Sequence, residues 1–314
     1  MTGRFPGGAR FAFTIMDDTD VATIENVGPV YRLLHQLGFR TTKTVWPVGC
    51  PEGSRNFSSS QTLDEPAYVE FVQGLAAQGF EIAFHGATME SSERARTIAA
   101  LERFRSLFGG PPRVYASHSY NRENLYWGVE RLDVPILRAL YARTNGQPPD
   151  WYQGTRPGSP WWWGDVAQET LTYVRNLSFD AINLTPINPS MPYRDPRRPL
   201  APWWFSASDA EDVEEFNRLI DEAAQDRLER EGGVSIVATH LGKGFARDGR
   251  VDPTTERLLT RLAAKGGWFV PVGELLDWLR ERRTEEFLPA AEWRAMQWRW
   301  ARDLVTRRIR WKFR

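Results

Sequence analysis

With Cys50 as its only cysteine, the chain can form no internal disulfide, and a reducing compartment is the expectation. Histidine is scarce as well: there are four in 314 residues, so the place of each one is informative. The chain also lacks an excess of either charge. The 40 Lys and Arg balance 40 Asp and Glu, so no overall field draws the protein towards nucleic acid, which is not an expected partner. An anionic surface could be met only by a local patch. No apolar run approaches the ~18–20 residues that cross a bilayer, and the N-terminal MTGRFPGGARFAFTIMDDTD has no apolar centre of the signal-peptide kind. The resulting expectation is a cytoplasmic protein.

Apolar and aromatic residues make up 41% of the chain, enough to build one large core. The 14 tryptophans cluster at Trp161 to Trp163, at Trp203 and Trp204, and in the last 22 residues. Consecutive indoles cannot all face one core, so some are expected to line a cleft or an interface.

Short apolar runs alternate with helical periodicity. Arg10 to Met16 reads as a buried strand, and Ile24, Val27, Val30, Leu34 and Leu37 follow at helical spacing. His35 lies on this helix and is taken as structural. The unit repeats with strands at Thr41 to Val48, Phe80 to Phe84 and Arg113 to Ala116. Helices are predicted around Tyr68 to Leu75, after Ser91 or Ser92 up to Gly109, and at Val134 to Tyr141. Residues 119 to 210 are less regular, with strand candidates near Leu171 to Val174 and Ala181 to Leu184. Asp209 to Glu231 reads as a helix, Val234 to Thr239 as a strand, Pro253 to Lys265 as a helix, and Trp268 to Val270 as a strand leading into a helix from Gly273. This alternation predicts a parallel α/β barrel over residues 1–285.

Asp17 and Asp18, His85, His118 and His240 each fall at the C-terminal end of a predicted strand. In a parallel barrel those ends converge on one face, where active sites are built. Carboxylate and imidazole donors on separate strands can hold a zinc-like ion and leave positions for water and substrate.

The order of these motifs resembles the carbohydrate (polysaccharide) deacetylase family, also called NodB-like, over about residues 10 to 280. Phe13-Thr14-Ile15-Met16-Asp17-Asp18 is similar to its first motif. The resemblance implies a distorted seven-stranded barrel, Asp17 as general base and Asp18 as a metal ligand. The second motif usually carries two histidines four apart; His85 is present, but the later position is Met89. The third looks like Tyr115-Ala116-Ser117-His118-Ser119-Tyr120-Asn121, without the family's Arg and Pro. His118 is the expected third ligand, and Glu90 is the alternative. Val234 to Leu241 resembles the last motif, which makes His240 the general acid.

The implied cofactor is one divalent metal ion, zinc first, with cobalt, nickel, manganese or iron as alternatives. Tyr120, Asn121, Trp127 and Trp162 lie in the loops after strand ends and are candidates to contact a sugar. The expected reaction removes an acetyl or formyl group from an amide of an amino sugar or glycan intermediate, small or lipid-linked. Two alternatives are hydrolysis of another linear or cyclic amide and a catalytically silent carbohydrate binder. Residues 286–314 form a separate basic, Trp-rich helix, with eight Lys or Arg after Trp293. Trp293, Met296, Trp300, Leu304 and Trp311 fall along one stripe. That stripe would dock either on an anionic membrane surface, making the protein peripheral, or on the barrel.

Overall fold

Strand β1 (Phe11–Asp17) is buried along its whole length because both of its faces are covered. Phe11, Phe13 and Ile15 pack with Val27, Val30, Tyr31 and Leu34 of helix α1 (Ile24–Gln36). Successive strand residues alternate sides, so Ala12, Thr14 and Met16 are left for the opposite, inner face. The computed structural model describes residues 5–54, 56, 59–144 and 146–312, without the side chain of Trp311.

The remaining strands are β2 (Thr42–Val45), β3 (Glu81–Phe84), β4 (Val114–Tyr115), β5 (Tyr173–Phe179), β6 (Trp203–Asp209) and β7 (Gly233–Thr239). They neighbour one another in chain order, all parallel, and β7 pairs with β1 to close a seven-stranded barrel. Helices α2 (Pro66–Ala77), α3 (Arg94–Phe108), α4 (Pro135–Thr144), α5 (Gly164–Thr170), α6 (Val213–Leu219), α7 (Glu222–Glu231), α8 (Pro253–Ala264) and α9 (Val272–Glu281) connect or follow the strands. A two-stranded hairpin, β8 (Ala246–Arg247) with β9 (Arg250–Val251), precedes α8. The start of α1 is set by a capping box between Thr23 and Asn26. Helix α3 stops where Gly109 turns left-handed, at φ 74°.

Three expected elements differ. Asp209 to Glu231 is not one helix: Asp209 ends β6, and α6 and α7 start separately because the Asp212 and Asp221 side chains each cap a new N-terminus, at Glu215 and Ala224. Residues 181–184 form no strand, and β5 instead runs on to Phe179. Trp268 makes only a single bridge to Ala12. β2 pairs with β1 only at Met16 and Asp17, so Trp268 covers the lower edge of β1 that β2 leaves open.

Helix α10 (Ala290–Lys312) lies against β5 and α4. Trp293, Met296 and Trp300 are buried in the core, with Leu304 packed beside them. The stripe offered as a membrane-docking face is therefore occupied by the barrel, and the apolar side chains that α10 leaves exposed are Trp298, Val305 and Ile309. The side chain of Trp311 lies outside the described residues. Among the described residues no helix is long and apolar enough to cross a membrane.

Candidate metal centre

Alternation along β1 separates the adjacent aspartates. Asp17 shares the outward side of Phe11, Phe13 and Ile15, and there it meets Lys43 Nζ at 2.9 Å and the Tyr31 hydroxyl at 2.8 Å, while its other oxygen accepts from the Leu241 backbone N–H at 2.9 Å. It is fully buried and does not line the cleft. The general base expected at Asp17 is thus a carboxylate whose two oxygens are taken up in the layer between barrel and helices. Asp18 falls on the inner side. Its two oxygens accept from Arg175 of β5 at 2.8 and 2.6 Å, a contact that spans the barrel interior because β1 and β5 are not neighbours. Burial alone would raise the Asp18 carboxyl, but Arg175 and the nearby histidines hold it below its ordinary value.

Two residues further on, Asp20 is the point on which three histidines converge. Its Oδ1 lies 3.3 Å from His85 Nε2, and its Oδ2 lies 3.6 Å from His118 Nε2 and 3.3 Å from His240 Nε2. The opposite nitrogens are all anchored. His85 Nδ1 is 2.8 Å from the Ala116 carbonyl, His240 Nδ1 is 2.8 Å from the Glu211 carbonyl, and His118 Nδ1 is 3.0 Å from Asn121 Oδ1. A carbonyl only accepts, so these Nδ1 atoms carry the protons. The Asn121 amide nitrogen donates to Thr88, Glu90 and Glu123, which leaves its oxygen to accept from His118. All three Nε2 lone pairs therefore face one carboxylate.

Lone pairs facing lone pairs repel unless protons or a cation lie between them. His85 Nε2 and Asp20 Oδ1 are both buried without a hydrogen-bond partner. Three imidazolium charges around one carboxylate would be a costly solution; a divalent cation held by Asp20, His85 and His118 removes most of that repulsion and leaves a proton to be placed only on His240. The spacing agrees, because donors about 2.0–2.1 Å from a tetrahedral ion lie about 3.3–3.4 Å apart. Among the described residues no three such side chains are already arranged around a common point, so seating an ion calls for a side-chain adjustment. The donor set fits the metal that the family resemblance implies.

The cleft around this cluster has a volume of about 360 Å³. Tyr120 and Trp127 line it; Asn121 and Trp162 do not. Asn121 lies beneath the cleft as the support for His118, and Trp162 packs beside Gly164 and Leu200. Glu90 accepts from the Ser54 hydroxyl at 2.6 Å and is not among the lining residues. A larger open groove of about 1040 Å³ between α1 and the β8–β9 hairpin contains none of the histidines.

Asn121 is supported in turn by Glu123, which also accepts from the Ser92 backbone N–H at 3.0 Å. Burial raises the Glu123 carboxyl from 4.5 to about 7, against the pull of those hydrogen bonds. The folded protein therefore holds this proton more tightly than the unfolded chain, and stability should fall as pH rises from about 4.5 through 7, by on the order of 3 kcal/mol from this group. Urea midpoints across this range for the wild type and Glu123→Gln test this. An equally steep fall in the variant would assign the slope to other groups.

No family model matches the sequence, and no curated protein matches it. Among solved structures, a polysaccharide deacetylase candidate from Mycobacterium smegmatis superposes with a TM-score of 0.56 at 14% identity, over 91% of this chain and 96% of that one. A second candidate of the same description, from Pseudomonas aeruginosa PAO1, gives 0.51 at 15% identity over 88% and 94%. The chain has the polysaccharide-deacetylase barrel fold. The allantoinase Puue matches with a TM-score of 0.50 at 13% identity over 89% of this chain and 93% of that one, so the same barrel also occurs under another description.

Proposed function

We propose that the chain is a divalent-metal-dependent hydrolase that removes an acetyl or formyl group from an amide of an amino sugar or glycan intermediate, acting in the cytoplasm. The observation that carries this reading is the convergence of the His85, His118 and His240 Nε2 lone pairs on Asp20 at the C-terminal rim of a deacetylase-type barrel. Asp20, His85 and His118 would hold the ion, zinc first. When bound, that ion polarises the acyl oxygen and acidifies water in the cleft.

The chain's own groups divide the proton work. Asp18, fixed by Arg175 on the inner face, accepts the proton of the attacking water. His240 stands on the rim directly after β7, with Nδ1 anchored to the Glu211 carbonyl. Burial alone would lower its imidazole, but Asp20, Asp18 and Glu211 raise it to about 9. Placed beside the ion site, it protonates the leaving nitrogen. A small soluble carbohydrate is favoured over a lipid-linked one, because the aromatic face of α10 is packed on the barrel.

The test is release of acetate or formate from a panel of N-acetyl and N-formyl hexosamines by the zinc-loaded protein. Asp18→Asn and His240→Ala should each keep the metal and lose about 10²–10⁴-fold in turnover. Stoichiometric metal with no release from any amide of the panel would count against this substrate class; absence of bound metal would favour a silent carbohydrate binder.

A further inference from the structure

Four cations line the cleft: Arg131, Arg175, Lys243 and Arg307. Three are matched by acids, Arg175 by Asp18, Lys243 by Glu211 and Arg307 by Asp209. Arg131 is not. It ends the short turn Gly128–Arg131 and is only 7% exposed, yet its side chain makes no ion pair and no hydrogen bond among the described residues, and its Nε is buried without a partner. The acids beside it in sequence are engaged elsewhere: Glu130 accepts from Arg156 and Thr155, and Asp133 from Arg198 and Trp293.

The guanidinium lies over two aromatic rings. Its central carbon lies 3.9 Å from the Trp127 ring centroid and 5.4 Å from that of Trp300, which α10 contributes. Aromatic rings take no N–H hydrogen bond of the ionic kind, so the fork keeps its N–H groups to donate to a planar or tetrahedral oxyanion. A guanidinium withdrawn from water without an anion is unfavourable, and aromatic faces recover only part of its lost hydration. Burial and the neighbouring cations Arg310 and Arg131 bring Arg307 down to about 10 against the pull of Asp180.

We propose that the cleft takes an N-acyl substrate carrying an oxyanion, a carboxylate or a phosphate, and that Arg131 binds this group while the amide lies beside Asp20. The amide half of this statement rests on the hydrolase reading above; the oxyanion half does not. Specificity then comes from α10 and the Gly128–Arg131 turn, outside the strands that carry the histidines.

Calorimetric titration of the full-length, zinc-loaded protein tests it with N-acetylglucosamine, its 1- and 6-phosphates, N-acetylmuramic acid, and glucose 6-phosphate as an anion without an amide. The phosphates or the carboxylate should bind at least about tenfold more tightly than the neutral sugar, and raising KCl from about 0.05 to about 0.5 M should weaken only the charged ligands. Which of the two anions gains more identifies the source. Arg131→Gln should bring the charged ligands to the level of the neutral one, and Arg131→Lys should retain part of the preference. Equal wild-type affinity for charged and neutral ligands, or an equal loss for both in Arg131→Gln, overturns the proposal. The wild-type comparison and its salt dependence decide the matter even if Arg131→Gln does not fold. Failure of the hydrolase reading looks different: no amide is cleaved, while binding of glucose 6-phosphate still depends on Arg131.

Discussion

Asp20→Ala is expected to yield a folded protein that retains almost no divalent metal and hydrolyses amides about a thousandfold more slowly, or less. Asp20 is the only carboxylate that meets all three imidazole Nε2 atoms among the described residues, at 3.3 to 3.6 Å, and its removal leaves the histidines without their common partner. Metal content of the purified protein by mass spectrometry is the primary measurement, with circular dichroism to establish folding. Asp18→Asn provides the contrast, since its oxygens are already engaged by Arg175. Should Asp18→Asn empty the site and Asp20→Ala leave it filled, the ligand is Asp18 after all.

Lys43→Met should destabilise the protein by about 3–5 kcal/mol without changing the turnover of the molecules that remain folded. Lys43 and Asp17 are both fully buried, and their contact at 2.9 Å is an ion pair on the outward face of β1 and β2. Burial alone would lower the Lys43 amine, yet Asp17 and Tyr68 hold it above its ordinary value. Methionine fills the same volume but leaves the Asp17 carboxylate with only Tyr31 and a backbone N–H inside the protein. Urea midpoints measure the loss, and the paired change Asp17→Asn with Lys43→Met should recover much of it. A loss below about 1 kcal/mol, or a fall in turnover per folded molecule, would return Asp17 to the catalytic machinery.

The histidines were legible because a parallel barrel gathers its strand ends, and three of the four histidines follow strand-like runs. The aspartates were harder to place. Proximity in sequence groups Asp17 with Asp18, whereas the alternation of β1 turns Asp17 outward and the chain onward to the inner side at Asp18, with Asp20 in the turn beyond the strand. That signal was present in FAFTIMDDTD, in the alternation of Phe11, Phe13 and Ile15 with smaller or inner residues. Arg175 gave no comparable sign. It lies inside β5, among residues 119–210, where Ser206 and Ser208 also interrupt the apolar pattern of β6.

By itself the sequence determined the barrel class, the strand ends that carry histidine and the helical C-terminal segment, because each depends on local periodicity and on stop signals close at hand. Only the tertiary structure decided which aspartate the histidines share, which one is sequestered by Lys43, and that Arg175 reaches Asp18 across the barrel. It also decided that Trp293 and Trp300 of α10 are packed in the core and that Arg131 is left in the cleft without an acid. These are relations between residues far apart in the chain, such as Asp20 with His240 and Arg131 with Trp300. No local pattern encodes them, since they depend on how the closed sheet and its covering helices bring distant faces together.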